Sequence, residues 1–230
     1  MSQYLPVIAI DGPVGVGKST IAMEVAGALD FYYLDTGAMY RAFALKCLRK
    51  GISCSKLADD NHSIFSQTVI DIQYFNKTLT ITLDGEDVTG IIRCPEVSDL
   101  SSKVSSYKSV RDYLISQQRR IGMNQPSVVE GRDIGTVVFP DAFLKIYLDA
   151  DFSERVRRRY QQYKESGVQI SKEELRKSIQ VRDEEDLNRP FGALKKADDA
   201  FYVDSTTLTP VQVVQEILKL YEQQKCLISA

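Results

Sequence analysis

The chain has 230 residues, of which 43% are apolar and 26% are charged. That length holds one sizeable domain or two small ones, and the ordinary composition excludes a globally disordered protein. The formal net charge of −2 argues against a nucleic-acid backbone or an anionic membrane as the main partner.

The first predicted element is a buried strand, Val7-Ile8-Ala9-Ile10, which leads directly into a glycine-rich loop and then a helical pattern. The loop matches the pattern G-x-x-x-x-G-K-[ST], in which backbone N–H groups and a helix N-terminus surround phosphate oxygens. We therefore expect a nucleoside triphosphate site, in which Lys18 reaches the β- and γ-phosphates and the Ser19 hydroxyl holds Mg²⁺. The expected triphosphate-binding residues are Gly12, Pro13, Val14, Gly15, Val16, Gly17, Lys18, Ser19 and Thr20.

Four more apolar runs follow along the chain, separated by segments with helical periodicity. This alternation predicts a mostly parallel sheet that is covered by helices on both faces, which is an α/β fold. The predicted strands are Phe31 to Leu34, Ser127 to Val129, Phe143 to Leu148 and Phe201 to Val203.

Two helix starts are marked in the second half of the chain. Asp151 and Glu154 match a capping box, which predicts that a helix opens after the fourth strand. Thr209 and Pro210 are typical of an N-cap and a first helical position. The apolar stripe of this last helix is predicted at Val214, Ile217, Leu218 and Tyr221.

One segment, Val69 to Ile92, breaks the alternation of strands and helices. Its residues alternate with the period of a half-buried strand, and turn signals stand at Asn76-Lys77 and Asp84-Gly85. The pattern predicts a small antiparallel insertion between the second and third main strands. Such an excursion is expected to carry function rather than core.

Basic residues follow the second and third predicted strands. Ligands of an open parallel sheet lie beyond the carboxyl ends of its strands, so Thr36 and Arg41 should border the nucleotide crevice. The alternative is that Thr36 only caps the next helix and that Arg41 is solvated. Arg132 and Asp133 occupy the equivalent place after the third strand. We interpret them as facing a ligand, and the alternative is an ion pair between the two.

Two predicted helices carry sets of charged residues on one face. The first has Arg155, Arg158 and Arg159 on a shared face, opposite an apolar stripe. The second has Arg182, Asp186 and Arg189 one turn apart, with Asp183 alongside. Solvated faces with intrahelical ion pairs are the alternative. In a phosphate-binding chain, clustered guanidinium groups also suit the charge of a transferring phosphoryl group, and a mobile helical pair would exclude water.

Other kinds of chemistry have little support in the sequence. The four cysteines have no C-x-x-C spacing and His62 is the single histidine, so neither a zinc site, a disulfide framework nor a Ser-His-Asp triad is expected. Asp87-Val88-Thr89-Gly90 matches a string of GTP-driven switches but falls in the antiparallel insertion. No apolar run has the length of a membrane span and no basic-then-apolar segment opens the chain, so we expect a cytoplasmic protein.

Five strings of the sequence fit together as one set. They are Ile10-Asp11-Gly12-Pro13 with Gly17-Lys18-Ser19-Thr20, Leu34 to Arg41, Gly131 to Asp141, Arg182-Asp183 to Asn188-Arg189, and Asp204-Ser205-Thr206-Thr207. Over nearly the whole chain, this set resembles the bacterial cytidylate (CMP/dCMP) kinase family.

The resemblance implies a P-loop nucleoside monophosphate kinase fold with a five-stranded parallel sheet, helices on both faces and a small antiparallel insertion. It implies one kinase domain with a core at about 1–62, 103–150 and 195–230, an acceptor-binding insertion at about 63–102 and a lid at about 151–194. The implied reaction is ATP + CMP giving ADP + CDP, with dCMP also accepted and Mg²⁺ required. A kinase for another small acceptor, a GTP-driven switch or a non-catalytic nucleotide-binding module is the alternative. We expect a monomer that binds neither nucleic acid nor membrane.

By motif match, the resemblance also implies site residues. The CMP site would consist of Thr36, Tyr40, Arg41, Ser102, Arg111, Arg132, Asp133, Arg182, Asp186 and Arg189. Within it, Ser102, Arg111 and Asp133 would contact the cytosine, while Arg182 and Asp186 would reach the sugar and phosphate. The catalytic residues would be Lys18, Arg132, Arg158 and Arg189, with Arg158 in the lid over ATP. Glu130 stands where the family usually has Asp, which changes the reach of a carboxylate towards Mg²⁺.

Overall fold

The computed structural model describes residues 5–59, 63–75, 78–165, 167 and 169–229, with the backbone alone for residues 228 and 229. The strands are β1 (Val7–Asp11), β2 (Tyr32–Asp35), β3 (Ile70–Phe75), β4 (Thr78–Leu83), β5 (Glu86–Asp87), β6 (Ser127–Gly131), β7 (Leu144–Asp149) and β8 (Phe201–Asp204). The helices are α1 (Lys18–Leu29), α2 (Thr36–Arg49), α3 (Pro95–Val104), α4 (Lys108–Gly122), α5 (Phe152–Glu165), α6 (Lys172–Asn188) and α7 (Pro210–Ser229). His62 and the predicted turn at Asn76-Lys77 lie outside the described residues.

Five strands form one parallel sheet in the order β2-β6-β1-β7-β8, and all five were predicted from their apolar runs. The central strand, β1, is buried over its whole length, which explains why it reads as a continuous apolar run rather than an alternating one. At the carboxyl edge of the sheet, Glu130 of β6 lies in register between Ile10 of β1 and Asp35 of β2. The loops that leave this edge carry the phosphate-loop pattern and the other basic residues.

The predicted antiparallel insertion is present as a sheet of three strands in the order β3-β4-β5. Asp84 and Gly85 have φ of 53° and 86°, the left-handed pair that a tight hairpin turn needs. The expectation that this insertion contributes little to the core was wrong, while its expected functional role stays a prediction. Its inward residues Ile70, Ile72 and Ile81 belong to the same hydrophobic core as the main sheet.

One helix-end prediction differs from the structure. The predicted capping box at α5 was wrong, because the Glu154 carboxylate accepts from Arg157 and Arg158, and the backbone N–H of Asp151 donates to Thr206. A capping box opens α6 instead, between Ser171 and Glu174.

The last helix does begin after Thr209, whose hydroxyl accepts from the backbone N–H of Gln212 at 3.3 Å. Its most buried stripe is rotated by about one position from the prediction. The buried residues are Val213, Ile217, Leu220 and Tyr221, while Val214 and Leu218 are half-buried.

Helices α5 and α6 pack through a small apolar cluster of their own. Val156, Leu175 and Ile179 are buried in it and Tyr160 and Tyr163 lie at its edge, as the apolar stripe of α5 predicts. Because this cluster is separate from the main core, the helical pair has little apolar area that ties it to the sheet.

Candidate active site

The phosphate loop between β1 and α1 has the close packing that its glycines allow. Gly12 follows β1 directly, and a side chain there would overlap the carbonyl of Leu148 in β7, since a Cβ would lie 2.0 Å from that oxygen. The loop therefore lies flat against the carboxyl edge of the sheet, with Gly17 as N-cap of α1. A helix N-terminus at that place favours a bound anion.

Three cations donate to the carbonyl oxygens of this loop. Lys18 Nζ donates to the carbonyls of Gly12 and Pro13, both at 2.8 Å. Arg155 Nη1 donates to the Val14 carbonyl at 3.0 Å, and Arg158 Nη1 donates to the Val16 carbonyl at 3.1 Å. Burial, and next to it the charge of Arg132, lowers the pKa of Lys18 to about 7. So much positive charge around one loop is suited to a polyanion.

Oxygen-bearing side chains adjoin the loop at the end of β6. Burial raises the pKa of the Glu130 carboxyl, and Asp35 adds to the shift. Ser19 interacts with Glu130 and with Tyr33, whose hydroxyl donates to Glu130 Oε1 at 2.6 Å. No cluster of three or more His, Cys, Asp or Glu side chains with metal-binding geometry occurs in the described part of the chain. A hydroxyl and carboxylates fit Mg²⁺, which takes oxygen ligands and binds nucleotide sites through few protein groups.

A second set of charges lies across from the loop, on α2, α6 and the turn after β6. Asp186 is almost fully buried and accepts from Arg132 at 2.6 Å and from Arg189 at 2.5 Å. Arg41 pairs with Asp35 at 3.0 Å. These three ion pairs leave an excess of guanidinium groups, because two carboxylates (Asp35 and Asp186) lie among four arginines (Arg41, Arg132, Arg182 and Arg189).

Several donors of this arginine cluster (Arg41, Arg132, Arg182 and Arg189) have no partner. The Nε atoms of Arg41, Arg182 and Arg189 are buried and make no hydrogen bond. Burial, with the like charges of Arg132 and Arg41, lowers the pKa of Arg182 to about 10. Buried donors that lack a partner are costly, so a cluster with three of them is suited to binding an anion.

A buried pair of opposite charges lies beside the arginine cluster. Arg111 of α4 donates to Asp133, and both side chains are almost fully buried. The Tyr40 ring stands 6.0 Å from the Arg111 guanidinium. Gly192 closes over the pair with a φ of 63°, and a Cβ there would fall 2.0 Å from Arg111 Nη2. A guanidinium and a carboxylate side by side can read the hydrogen-bonding edge of a heterocycle.

For four predicted residues the structure does not have the alternative arrangement. Thr36 does not cap α2, because Asp35 is the N-cap and the Thr36 hydroxyl donates to the Glu130 carbonyl at 2.7 Å. Arg41 is half-buried and paired rather than solvated. Arg132 and Asp133 do not pair with each other, since each has a different partner, Asp186 and Arg111 respectively.

The helical pair α5–α6 reaches both sites. Arg155 of α5 pairs with Asp183 of α6 at 2.6 Å, and Arg158 Nη1 also donates to the Ser205 hydroxyl at 3.0 Å. The intrahelical pairing expected as the alternative holds for Glu154 with Arg157 and Arg158, but not for the buried Arg155. Ser102 of α3 donates to Glu185 of α6 at 2.6 Å, so it lies at the contact between these helices.

Comparison with known proteins shows the family of the chain. The model of the cytidylate kinase family matches residues 8–223. The chain belongs to the cytidylate kinase family. The resemblance expected from its motifs is thereby confirmed, as is the P-loop kinase fold with its five-stranded parallel sheet.

Named relatives are similar over nearly the whole chain. The chain is 48% identical over 220 residues to a cytidylate kinase of Solibacter usitatus, which covers 95% of this chain and 93% of that protein. It is 40% identical over 223 residues to a cytidylate kinase of Salinibacter ruber, covering 95% of this chain and 97% of that protein. A solved structure of an uncharacterized protein from Eubacterium ventriosum has a TM-score of 0.52 at 11% identity, covering 95% of this chain and 99% of that chain, and supports the fold alone.

Three residues of this cytidylate kinase family member take part in the site without having been predicted. Asp11 is buried and its two carboxylate oxygens each accept a backbone N–H, from Ile134 and Gly135 at 2.8 Å, which fixes the turn after Arg132 and Asp133. Gly192 and Tyr33 are the others. Asp11 could have been predicted from the sequence, since a carboxylate that ends an apolar strand needs a partner. The positions of Gly192 and Tyr33 depend on long-range packing, which the sequence does not show.

No described helix has the length and apolar character to cross a membrane.

Proposed function

We propose that this protein transfers the γ-phosphoryl group of ATP to CMP, giving ADP and CDP, and that it also accepts dCMP. The observation that carries the proposal is the arginine cluster beside the phosphate loop, with three buried Nε donors that have no partner. The charges of Arg132 and Asp186 act directly on Lys18, so the two anion sites adjoin. Two adjoining anion sites, one of them a phosphate loop, are what a transfer between two phosphates requires.

In this proposal the chain works by positioning and by charge and forms no covalent intermediate: an oxygen of the CMP phosphate bonds to the γ-phosphorus as the bond to ADP breaks. Lys18 and Arg158 hold the donor phosphates, while Arg132 and Arg189 hold the phosphate of CMP. Keeping both phosphates in line contributes about 7–11 kcal/mol through proximity and orientation. Guanidinium groups that already point at the reacting phosphates stabilise the charge of the transition state without reorganisation.

The buried pair Arg111–Asp133 is our candidate for base recognition. The Asp133 carboxylate can accept from the exocyclic amine of cytosine, and Arg111 can donate to the ring nitrogen or carbonyl. A uracil base offers a carbonyl where cytosine offers the amine, so it would leave Asp133 unmatched. We propose that Ser102 and Tyr40 border the base, that Thr36 and Arg41 lie by the acceptor phosphate, and that Arg182 and Asp186 reach the sugar and phosphate.

Mg²⁺ would be held by the Ser19 hydroxyl, with Glu130 beside it. When bound, the ion supplies charge neutralisation on the donor phosphates. The main sheet would then be a fixed core, the segment at about 63–102 an acceptor-binding unit and the segment at about 151–194 a lid. A monomeric state and a cytoplasmic location stay predictions.

A coupled assay of ADP formation with ATP, Mg²⁺ and a panel of acceptors tests the function. We expect CMP and dCMP to have the highest kcat/KM, with UMP and AMP at least about tenfold lower because one mismatched buried polar group costs that much. Equal or better turnover of AMP or UMP would contradict the base assignment. Turnover of a non-nucleotide acceptor alone would favour a kinase for another small molecule, and tight GTP binding without acceptor-dependent turnover would favour a switch.

A further inference from the structure

Tyr33 places a hydroxyl where packing alone calls for an apolar side chain. It lies in β2, is fully buried in the main core, and its ring packs edge to face against Tyr74 with centroids 5.5 Å apart. A buried hydroxyl is costly unless it is hydrogen-bonded. Its partner is Glu130, whose Oε1 accepts at 2.6 Å.

Glu130 is held at two points by these neighbouring elements. The Thr36 hydroxyl donates to its main-chain carbonyl at 2.7 Å, and Tyr33 fixes one carboxylate oxygen. A glutamate side chain has three rotatable bonds, so without such contacts its carboxylate could adopt several positions. The result is a carboxylate of fixed orientation at the carboxyl end of β6, next to Ser19 and Lys18.

The fixed Glu130 carboxylate can in turn orient the neighbouring Ser19 hydroxyl. A hydroxyl that ligates a cation offers an oxygen lone pair to the metal, so its proton must point towards an acceptor. Burial raises the pKa of both Glu130 and Tyr33, and hydrogen bonding by Ser19 opposes the shift in each. Of these two neighbours the carboxylate is the stronger acceptor, and Tyr33 already donates to it. Groups that orient a metal ligand in this way change metal affinity although they do not touch the ion.

We propose that Tyr33 is a positioning residue of the donor site. It holds the Glu130 carboxylate so that the Ser19 hydroxyl turns its lone pairs towards the Mg²⁺ that accompanies ATP. The inference rests on the proposed function, because it assumes that the phosphate loop binds ATP together with Mg²⁺.

Calorimetric titration of ATP into the full chain, without any acceptor, tests the role of Tyr33. We expect Tyr33→Phe to weaken ATP binding about fivefold at saturating Mg²⁺, the typical effect of one lost hydrogen bond, and to leave ATP binding in EDTA unchanged. Tyr32→Phe is the matched control, since it removes a hydroxyl from the same strand that donates to the Ile72 carbonyl in β3. The control should bind ATP like the wild type under both conditions.

A loss that is equal with and without Mg²⁺ would make Tyr33 a structural residue only, and no loss in either condition would also overturn the proposal. Glu130→Gln should weaken the Mg²⁺-dependent binding at least as much, and Tyr33→Phe added to it should cause no further loss. If the losses of the two variants add up in the double variant, Tyr33 does not act through Glu130 and the proposal is wrong, whatever Tyr33→Phe does alone. These titrations contain no acceptor, so they do not test the assignment of CMP as the acceptor. That assignment is tested by the assay with a panel of acceptors.

Discussion

The two proposed anion sites of this molecule differ in the partners of their cations. At the phosphate loop, Lys18, Arg155 and Arg158 all donate to backbone carbonyls of the loop. In the arginine cluster, by contrast, the Nε atoms of Arg41, Arg182 and Arg189 are buried without a partner.

This difference indicates how each site is preorganised for its ligand. The loop is shaped by hydrogen bonds within the protein, so its geometry exists before a nucleotide arrives. The cluster keeps donors that are already desolvated, and an incoming phosphate gains their hydrogen bonds without a further desolvation cost to the protein. Disturbing the loop should therefore affect turnover most, whereas disturbing the cluster should affect mainly the acceptor.

The largest expected effect is at Lys18. Lys18→Ala removes the ammonium from the donor phosphates and should lower kcat by about 10³-fold, the loss typical of one preorganised charge. Steady-state assays at saturating ATP and CMP measure this, with circular dichroism to verify the fold. CMP affinity should stay near the wild-type value. A kcat within a few-fold of the wild type would remove Lys18 from the reaction.

Arg189→Ala tests the role of the arginine cluster. Loss of a guanidinium that both binds and orients phosphate should lower kcat/KM for CMP by about 10²-fold and leave the Kd for ATP unchanged. Arg120→Ala is the matched control, because Arg120 is exposed and its guanidinium donates to Gln117 Oε1 at 3.0 Å. If ATP binding fell as much as acceptor use, the division into two sites would be wrong.

Gly192→Ala should disturb the base pocket alone. The added Cβ would overlap Arg111 and Asp133, so we expect KM for CMP to rise about tenfold, as for a lost buried hydrogen bond to a charged group. Gly51→Ala has a similar positive φ of 60° but meets no atom within 4 Å, and it controls for backbone strain. Equal KM values in the two variants would show that Gly192 does not bound the pocket.

The smallest expected effect is a difference in kcat/KM between CMP and dCMP, which differ at the 2′ position of the sugar. Asp186→Ala should weaken the use of both acceptors, because Arg132 and Arg189 lose their partner. If Asp186 also accepts from the 2′-hydroxyl, CMP should suffer about fivefold more than dCMP, the value of one hydrogen bond. Parallel kcat/KM measurements decide this, and equal losses would move Asp186 away from the sugar.

Local patterns in the sequence were enough for the sheet and the phosphate loop. The five parallel strands read as apolar runs because both faces of the sheet are covered, and the loop pattern identified Lys18 and Ser19 at once. The partners of the ion pairs were harder to predict from the sequence. Asp186 accepts from Arg132 across 54 sequence positions, a contact that only the crossover topology brings together. The residue-by-residue assignments of the CMP site came from the resemblance, and they stay predictions.

The failures have physical reasons too. Asp151 and Glu154 have the spacing of a capping box, but two nearby arginines compete for the glutamate more strongly than a backbone N–H does. The insertion was expected to contribute little to the core because it interrupts the helix and strand alternation. Its apolar face nevertheless completes the core beside β2, as the Tyr33–Tyr74 contact illustrates.

A crystal structure with CMP bound would show whether the arginine cluster holds the acceptor phosphate. We expect phosphate oxygens within hydrogen-bonding distance of at least two of the three unpartnered Nε atoms, of Arg41, Arg182 and Arg189, with the cytosine against Arg111 and Asp133. A CMP phosphate bound elsewhere, with those three donors still buried and unpaired, would contradict the proposed function.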